Sequence, residues 1–189
     1  MTQPLDVVAL IGSLRRDSLT KRLVFGLIEV APRSLHIEIV PLAELSMYNE
    51  DLEDQPPPCW IDLRARIQCA AAVLIATPEY NRSVPAVLKN ALDVGSRPYG
   101  KNVWAGKPAA VVSASPGAMG AFGANHHLRQ ALTYLDMPTM QQPEAYIGGV
   151  DKMVDENGHF IKDSARQFCT TVMDEFERWI LRFVNRPAP

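Results

Sequence analysis

The chain is short of the residues that build covalent or metal scaffolds. Its 189 residues include three cysteines, Cys59, Cys69 and Cys169, odd in number, far apart and without a CxxC pair. That spacing excludes a disulfide framework and a cysteine-based zinc site, and leaves buried or partly exposed thiols. An excess of one charge is also lacking: 19 Lys and Arg stand against 21 Asp and Glu, a formal net charge of −2. A nucleic-acid binder working through a broad basic surface is excluded by that balance. No run approaches the roughly 20 apolar residues of a membrane helix. The opening MTQPLDVVALIGS has no basic stretch leading into a signal-type apolar segment, so a cytoplasmic location is expected. What remains is ordinary globular material, 47% hydrophobic and 21% charged. At this length it can bury a core without a staple, and a single domain over residues 1–189 is expected.

Three short runs are continuously apolar, at residues 7–11, 71–76 and 109–112, and a fourth, 35–40, alternates. Such runs suit parallel strands covered on both faces. Helical periods lie between them. Leu23, Val24, Leu27 and Ile28 mark one helix, and Trp60, Leu63 and Ile67 another. Val84, Val87, Leu88, Ala91 and Leu92 form a stripe closed by Gly95, which reads as a C-cap. Leu128, Ala131, Leu132 and Leu135 repeat the pattern, and Phe168, Val172, Phe176, Trp179, Ile180 and Phe183 mark a long last helix. A fifth strand is expected within residues 137–147. The alternation predicts an α/β fold: a flavodoxin-like, doubly wound, five-stranded parallel sheet of order 2-1-3-4-5 with helices on both faces. Residues 50–58 (EDLEDQPPP) and 150–162 read as surface loops, and 185–189 as a frayed tail.

In such a sheet ligands bind beyond the carboxyl ends of the strands, beside strand one. Three loops meet there. The first, GSLRRDSLT, offers Gly12 for a tight turn, hydroxyls at Ser13, Ser18 and Thr20, and charge at Arg15 and Arg16. With the amino end of the next helix this makes an anion site, for which phosphate is the usual occupant. The same residues also fit a capped helix with a solvated arginine pair. No GK[ST] follows, so the loop is not a Walker A motif. The second loop, TPEYNRSVP, is stiffened by Pro78 and offers Tyr80 and Asn81 to a planar heterocycle, with Ser83 as N-cap of the following helix and Pro85 in its first turn. An ordinary strand-to-helix turn would read the same way. The third, SASPGAMGAFGAN, has Gly117, Gly120 and Gly123 three apart, which is not the GxGxxG spacing. It reads as a wall allowing close backbone approach to a flat ligand.

Together GSLRRDSLT, TPEYNRSVPAVLKNALD, SPGAMG and HHLRQALTYLDM resemble the NADPH-dependent FMN reductase family, and within it the bacterial quinone and chromate reductase branch. The resemblance implies a flavodoxin-like fold and noncovalently bound FMN. It implies that Ser13, Arg15, Ser18 and Thr20 surround the FMN phosphate, with Leu14 among the cofactor-binding residues. Pro78, Glu79, Tyr80, Asn81 and Arg82 would border the isoalloxazine, largely through main chain. Ser115, Pro116 and Gly117 would lie at its other edge. The implied activity is hydride transfer from NADPH, by way of FMN, to quinones or similar small acceptors (chromate, azo compounds, free flavin), with NADH as an alternative donor. The resemblance also implies a homodimer or homotetramer, built on the LKNALD helix and its neighbour. A flavodoxin-type electron carrier without a nicotinamide site, and a nucleotide-binding module without redox chemistry, share the phosphate loop and stay open. The sequence departs from many relatives at Val94 and in AFGANHH, positions that bear on the oligomer and the pocket rim.

No side-chain acid or base is required by this chemistry, so no catalytic residue is assigned. Arg82 reads as a clamp for an anionic nucleotide or as a solvent-facing arginine. His126 and His127 are adjacent and face about 100° apart on a helix, so they cannot chelate as an i, i+4 pair would. His36 and His159 have no identifiable partner. Cys59 and Cys69 read as incidental. Trp104 reads as packing on the pocket rim or at an interface, and Trp60 and Trp179 as core.

Overall fold

Parallel strands stand at the four runs, and a fifth overlaps the end of the stretch expected to hold one. In the computed structural model, which describes residues 4–184, they are β1 (Leu5–Ile11), β2 (Leu35–Ile39), β3 (Ala72–Thr77), β4 (Ala109–Ser115) and β5 (Ala145–Gly148), in the order β2-β1-β3-β4-β5. The tail at 185–189, read above as frayed, lies outside the described residues. Register aligns Ile11 with Ala76 and Thr77 with Ser113. The carboxyl ends of β1, β3 and β4 therefore finish side by side.

Alternation along each strand divides the core in two. Val7, Ala9, Ile11, Ala72, Leu74, Ala76, Ala110, Val112 and Ala114 face α1 (Leu19–Val30) and α5 (Asp163–Val184). Val8, Leu10, Val73, Ile75, Ala109 and Val111 face α2 (Pro58–Cys69), α3 (Ala86–Ser96) and α4 (Phe122–Tyr134). The first of these faces is rich in alanine, and large helix residues, Leu23, Leu27, Met173 and Phe176, fill the space above it. Each such side chain contributes roughly 1.5–3 kcal/mol of burial. With both faces covered, the strands read as unbroken apolar runs.

The third helix differs from its reading in the sequence. It begins after Pro85, which stands at the N-cap position without a side-chain cap bond, so Val84 and Ser83 lie outside it. Its carboxyl end is not a glycine cap. Gly95 is inside the helix, whose C-cap residue is Arg97 in extended conformation. Arg64 of α2 closes that end by donating to the carbonyls of Val94 (3.3 Å), Gly95 (3.1 Å) and Arg97. Glycine stands at 95 because Trp104 folds back onto it: a Cβ there would lie 2.3 Å from the indole Nε1. Trp104 is fully buried and its Nε1 donates to the Leu92 carbonyl at 2.9 Å. It is a core residue, not a rim or interface residue. Trp60 is core as well, whereas Trp179 is part-buried against the core.

A Gly95→Ala substitution is therefore expected to destabilise the fold. Overpacking costs about 1–3 kcal/mol, and displacing the indole N–H from its acceptor adds about 1–3 kcal/mol. Against these stands a gain of about 1 kcal/mol in helix propensity. A net loss of about 2 kcal/mol corresponds to a fall in Tm of about 4–8 °C at this size. Calorimetry checks it; an unchanged Tm would show that the indole is not wedged against residue 95.

Candidate functional site

The site grows from the adjacent ends of β1, β3 and β4. Gly12 donates its amide to the Ala76 carbonyl at 2.8 Å, which turns the first loop over β3. A Cβ at Gly12 would meet Pro78 Cδ at 3.1 Å, so the first two loops abut at this point. Ser18 caps α1: its Oγ accepts from the Lys21 amide at 3.1 Å. As an acceptor in that bond, the hydroxyl keeps its own proton to donate elsewhere. Leu19 and Thr20 open α1, so their amides have no acceptor within the helix. Ser18 and Thr20 are buried, Ser13 is half-buried, and Leu14 is exposed. Arg15 and Arg16 are exposed and have no hydrogen bond or ion pair with any described residue. Unpaired guanidinium groups near free helix amides suit an anion.

The second loop contains a tight hairpin. Tyr80 and Ser83 exchange backbone bonds, 3.1 Å from the Tyr80 amide and 2.9 Å from the Ser83 amide. Asn81 and Arg82 between them have φ of 51° and 64°. Positive φ at both central positions is the type I′ pattern, usually filled by Asn-Gly. An arginine there carries strain on the order of 1–2 kcal/mol, and such strain gathers at functional sites. Ser83 does not cap α3. Its Oγ is instead bonded to His127 Nδ1 of α4 at 2.8 Å. Arg82 Nη1 donates to Glu79 Oε1 at 2.7 Å, so Arg82 is exposed yet paired.

The third loop departs from its reading as a glycine-lined wall. Gly120 has φ of 57°, and a Cβ there would lie 2.5 Å from the Tyr146 carbonyl carbon. A Cβ at Gly123 would lie 2.9 Å from Glu79 Oε2. Both glycines make room for the protein itself. Gly117 alone of the three is open, with only Ser115 Oγ, at 3.7 Å, near a Cβ built on it. Ser115 Oγ donates to the Gly117 carbonyl at 2.9 Å, and Pro116 between them is exposed.

Several organising residues escaped the sequence reading. Buried Asn90, in the middle of α3, ties down the loop after β2: its Oδ1 accepts from the Tyr48 amide (2.8 Å) and its Nδ2 donates to the Ser46 carbonyl (3.0 Å). Met47, held between them, is 68% exposed and adds a fourth apolar tip to Leu14, Tyr80 and Met119 on the loops at this end of the sheet. Glu79, placed above largely through its main chain, bonds by its side chain to α4: Oε2 accepts from the Ala124 amide at 3.0 Å. His126 bonds Tyr146 Oη at 2.9 Å while His127 turns to Ser83. His36 and His159 do have partners, Asp6 and Glu29, each at 2.9 Å. No group of three or more His, Cys, Asp or Glu among the described residues could hold a metal ion, and none of their helices is long and apolar enough to cross a membrane.

A family model described as NADPH-dependent FMN reductase matches residues 5–152, the stretch that carries all three loops. The chain belongs to the NADPH-dependent FMN reductase family. Among its relatives, a quinone reductase of Pseudomonas putida is 51% identical over 181 residues, covering 95% of this chain and 97% of that one. A 2-hydroxy-1,4-benzoquinone reductase of a Burkholderia species is 41% identical over 176 residues, 93% of this chain and 96% of that one. Among solved structures, the flavoenzyme NAD(P)H:(acceptor) oxidoreductase FerB of Paracoccus denitrificans superposes with a TM-score of 0.89 at 38% identity, covering 95% of this chain and 98% of that one. The residues present fit the family's cofactor. Free amides and unpaired arginines suit a phosphate, and a strained turn on one loop with an open Gly117 on another suits a flat ring.

Proposed function

We propose that the protein is an FMN-dependent NAD(P)H oxidoreductase that carries electrons from NADPH to quinones or similar small acceptors, with chromate, azo compounds and free flavin in the same class. The observation that carries this reading is the junction at Gly12 and Pro78. It sets the free amino end of α1, with unpaired Arg15 and Arg16, against the strained turn at residues 80–83. FMN, when bound, supplies the hydride-accepting and hydride-donating chemistry. The chain's own residues bind and orient. Ser13, Leu14, Arg15, Ser18 and Thr20 take the phosphate end, Ser18 through the hydroxyl proton its capping bond leaves free. Pro78, Glu79, Tyr80, Asn81 and Arg82 border the ring on one side, and Ser115, Pro116 and Gly117 on the other. The Tyr80 and Ser83 amides are spent within the hairpin, and the amides of Asn81 and Arg82 are left as preorganised donors to a negatively charged ring edge, as in an oxyanion hole. No side-chain acid or base is assigned.

NADPH is favoured over NADH by the positive charge of Arg16, which has no internal partner among the described residues and is not taken up by the FMN phosphate as Arg15 is. Arg82 contributes less, because Glu79 holds it. A cytoplasmic enzyme, built as one domain and acting as a homodimer or homotetramer, completes the reading. The outer faces of α3 and α4 carry Lys89, Asp93, His127 and Tyr134 around a shared groove, and Tyr134 is 90% exposed. A second copy on that groove would cover it beside the site.

One open face must admit donor and acceptor in turn. Steady-state rates with NADPH and a benzoquinone varied together are therefore expected to give parallel double-reciprocal lines, with quinone competing against NADPH at high concentration. Intersecting lines would require both molecules to be bound at once and would contradict a shared face.

A further inference from the structure

We propose that the Glu79 side chain is a positioning residue for the ring-facing turn: by capping the amino end of α4 from the opposite loop, it fixes where residues 80–83 stand against the loop after β4. The inference rests on the reading that a flavin ring lies between those loops.

Helix α4 has no cap of its own. Its N-cap residue, Ala121, is left-handed at φ of 60° and offers no side-chain acceptor. The amides of its first turn therefore need an acceptor from elsewhere. Glu79 supplies it. Oε2 accepts from the Ala124 amide at 3.0 Å while Oε1 takes Arg82 Nη1 at 2.7 Å. One carboxylate thus braces its own hairpin and the facing helix together. It is well placed for both: the side chain is 11% exposed and sits at the positive end of the helix dipole. Burial by itself raises its pKa, but the Ala124 amide, Arg82 and the Gly123 amide outweigh burial and hold it below the usual carboxylate range. Gly123 admits the contact, since a Cβ at that position would press on Oε2 at 2.9 Å. The far end of the hairpin is tied to the same helix by the bond between Ser83 and His127. The two left-handed residues, Asn81 and Arg82, are suspended between these anchors.

A plain helix cap would stabilise α4 and leave flavin binding untouched. A positioning residue acts on the ring and not on the phosphate. The test reconstitutes the full-length protein with FMN and, separately, with riboflavin, and compares the parent with Glu79→Ala, Glu79→Gln and Gly123→Ala. Glu79→Ala is expected to raise the Kd for both flavins by the same factor, about tenfold, as loss of a charge-assisted bond implies. It is also expected to shift the visible circular dichroism of the bound flavin. Glu79→Gln keeps an acceptor for the Ala124 amide and is expected to restore affinity to within about threefold of the parent. Gly123→Ala is expected to weaken both flavins in the parent and to add little in the Glu79→Ala background, the signature of a shared contact. That pair of Gly123 and Gln variants decides the matter even where Glu79→Ala does not fold. Unchanged affinity and dichroism in Glu79→Ala and Gly123→Ala, with only Tm lowered, would reduce Glu79 to a cap and overturn the inference. A loss confined to FMN would overturn it too. A parent that binds neither flavin would instead overturn the proposed function on which the inference rests.

Discussion

Anaerobic mixing of the FMN-loaded protein with NADPH is expected to remove the yellow flavin band within seconds, and adding a benzoquinone is expected to bring it back. The expectation follows from how the loops are disposed. Around the three strand ends the chain presents exposed Leu14, Met47, Tyr80 and Met119, apolar tips on four different loops. Met47 lies on backbone fixed by the Asn90 bonds, and Tyr80 in the hairpin closed by Ser83 and tied to α4 through Glu79. An apolar rim on a fixed frame suits flat molecules that come and go, as nicotinamide and quinone do. Turnover of about 1–1,000 per second, ordinary for enzymes, completes the colour change within the stated time. A flavodoxin-type carrier of the same fold would keep its colour until a partner reductase was added. Persistence of the band with both NADPH and NADH would leave the fold standing and remove the proposed activity.

How far the sequence predicts this arrangement depends on the range of the interaction concerned. Strands β1, β3 and β4 are legible because each is covered on two faces, which writes the burial into consecutive residues. Strand β5 is only four residues long with every second one half-buried, so the sequence locates it only within residues 137–147. The start of α1 is legible because a cap and its helix are neighbours in sequence: Ser18 and Lys21 are three residues apart. The misread glycines and the Ser83 hydroxyl depend on a distant partner. Gly95 looks like a helix cap until Trp104 is seen lying across it. Gly120 and Gly123 look like a ligand wall until Tyr146 and Glu79 occupy the space. Ser83 has the chemistry of an N-cap, but His127, 44 residues on, takes its hydroxyl. Local pattern names the kind of residue a turn needs and is silent on which neighbour uses it. The family resemblance names Glu79 as bordering the ring largely through main chain and is silent on its side-chain bond to α4.

Arg15→Ala is expected to raise the Kd for FMN about 10- to 150-fold, the effect of losing about 1.5–3 kcal/mol from a charge-assisted bond. The argument begins with what Arg15 does not do. Among the described residues it has no hydrogen bond and no ion pair, and it is exposed in a loop between β1 and α1. Removing its side chain therefore takes nothing from the folded protein, and Tm of the flavin-free protein should stay within about 2 °C of the parent, as for an ordinary surface substitution. In the proposed function its partner is the FMN phosphate, along with the free amides of Leu19 and Thr20 and the Ser18 hydroxyl. Because the bond is to phosphate, riboflavin should bind the variant and the parent alike, and added salt should narrow the gap for FMN by screening the charge. The contrast with Glu79 gives the comparison its force: one variant separates the two flavins and the other treats them equally. Phosphate and ring would then be shown to be held by different parts of the site, α1 with its arginines and α4 with its bridging carboxylate. Equal losses for FMN and riboflavin in Arg15→Ala would move the arginine from the phosphate to the ring, or to the rim where the nicotinamide nucleotide enters. A measurement of NADPH KM in the FMN-saturated variant would separate these two positions, since only the rim position raises it.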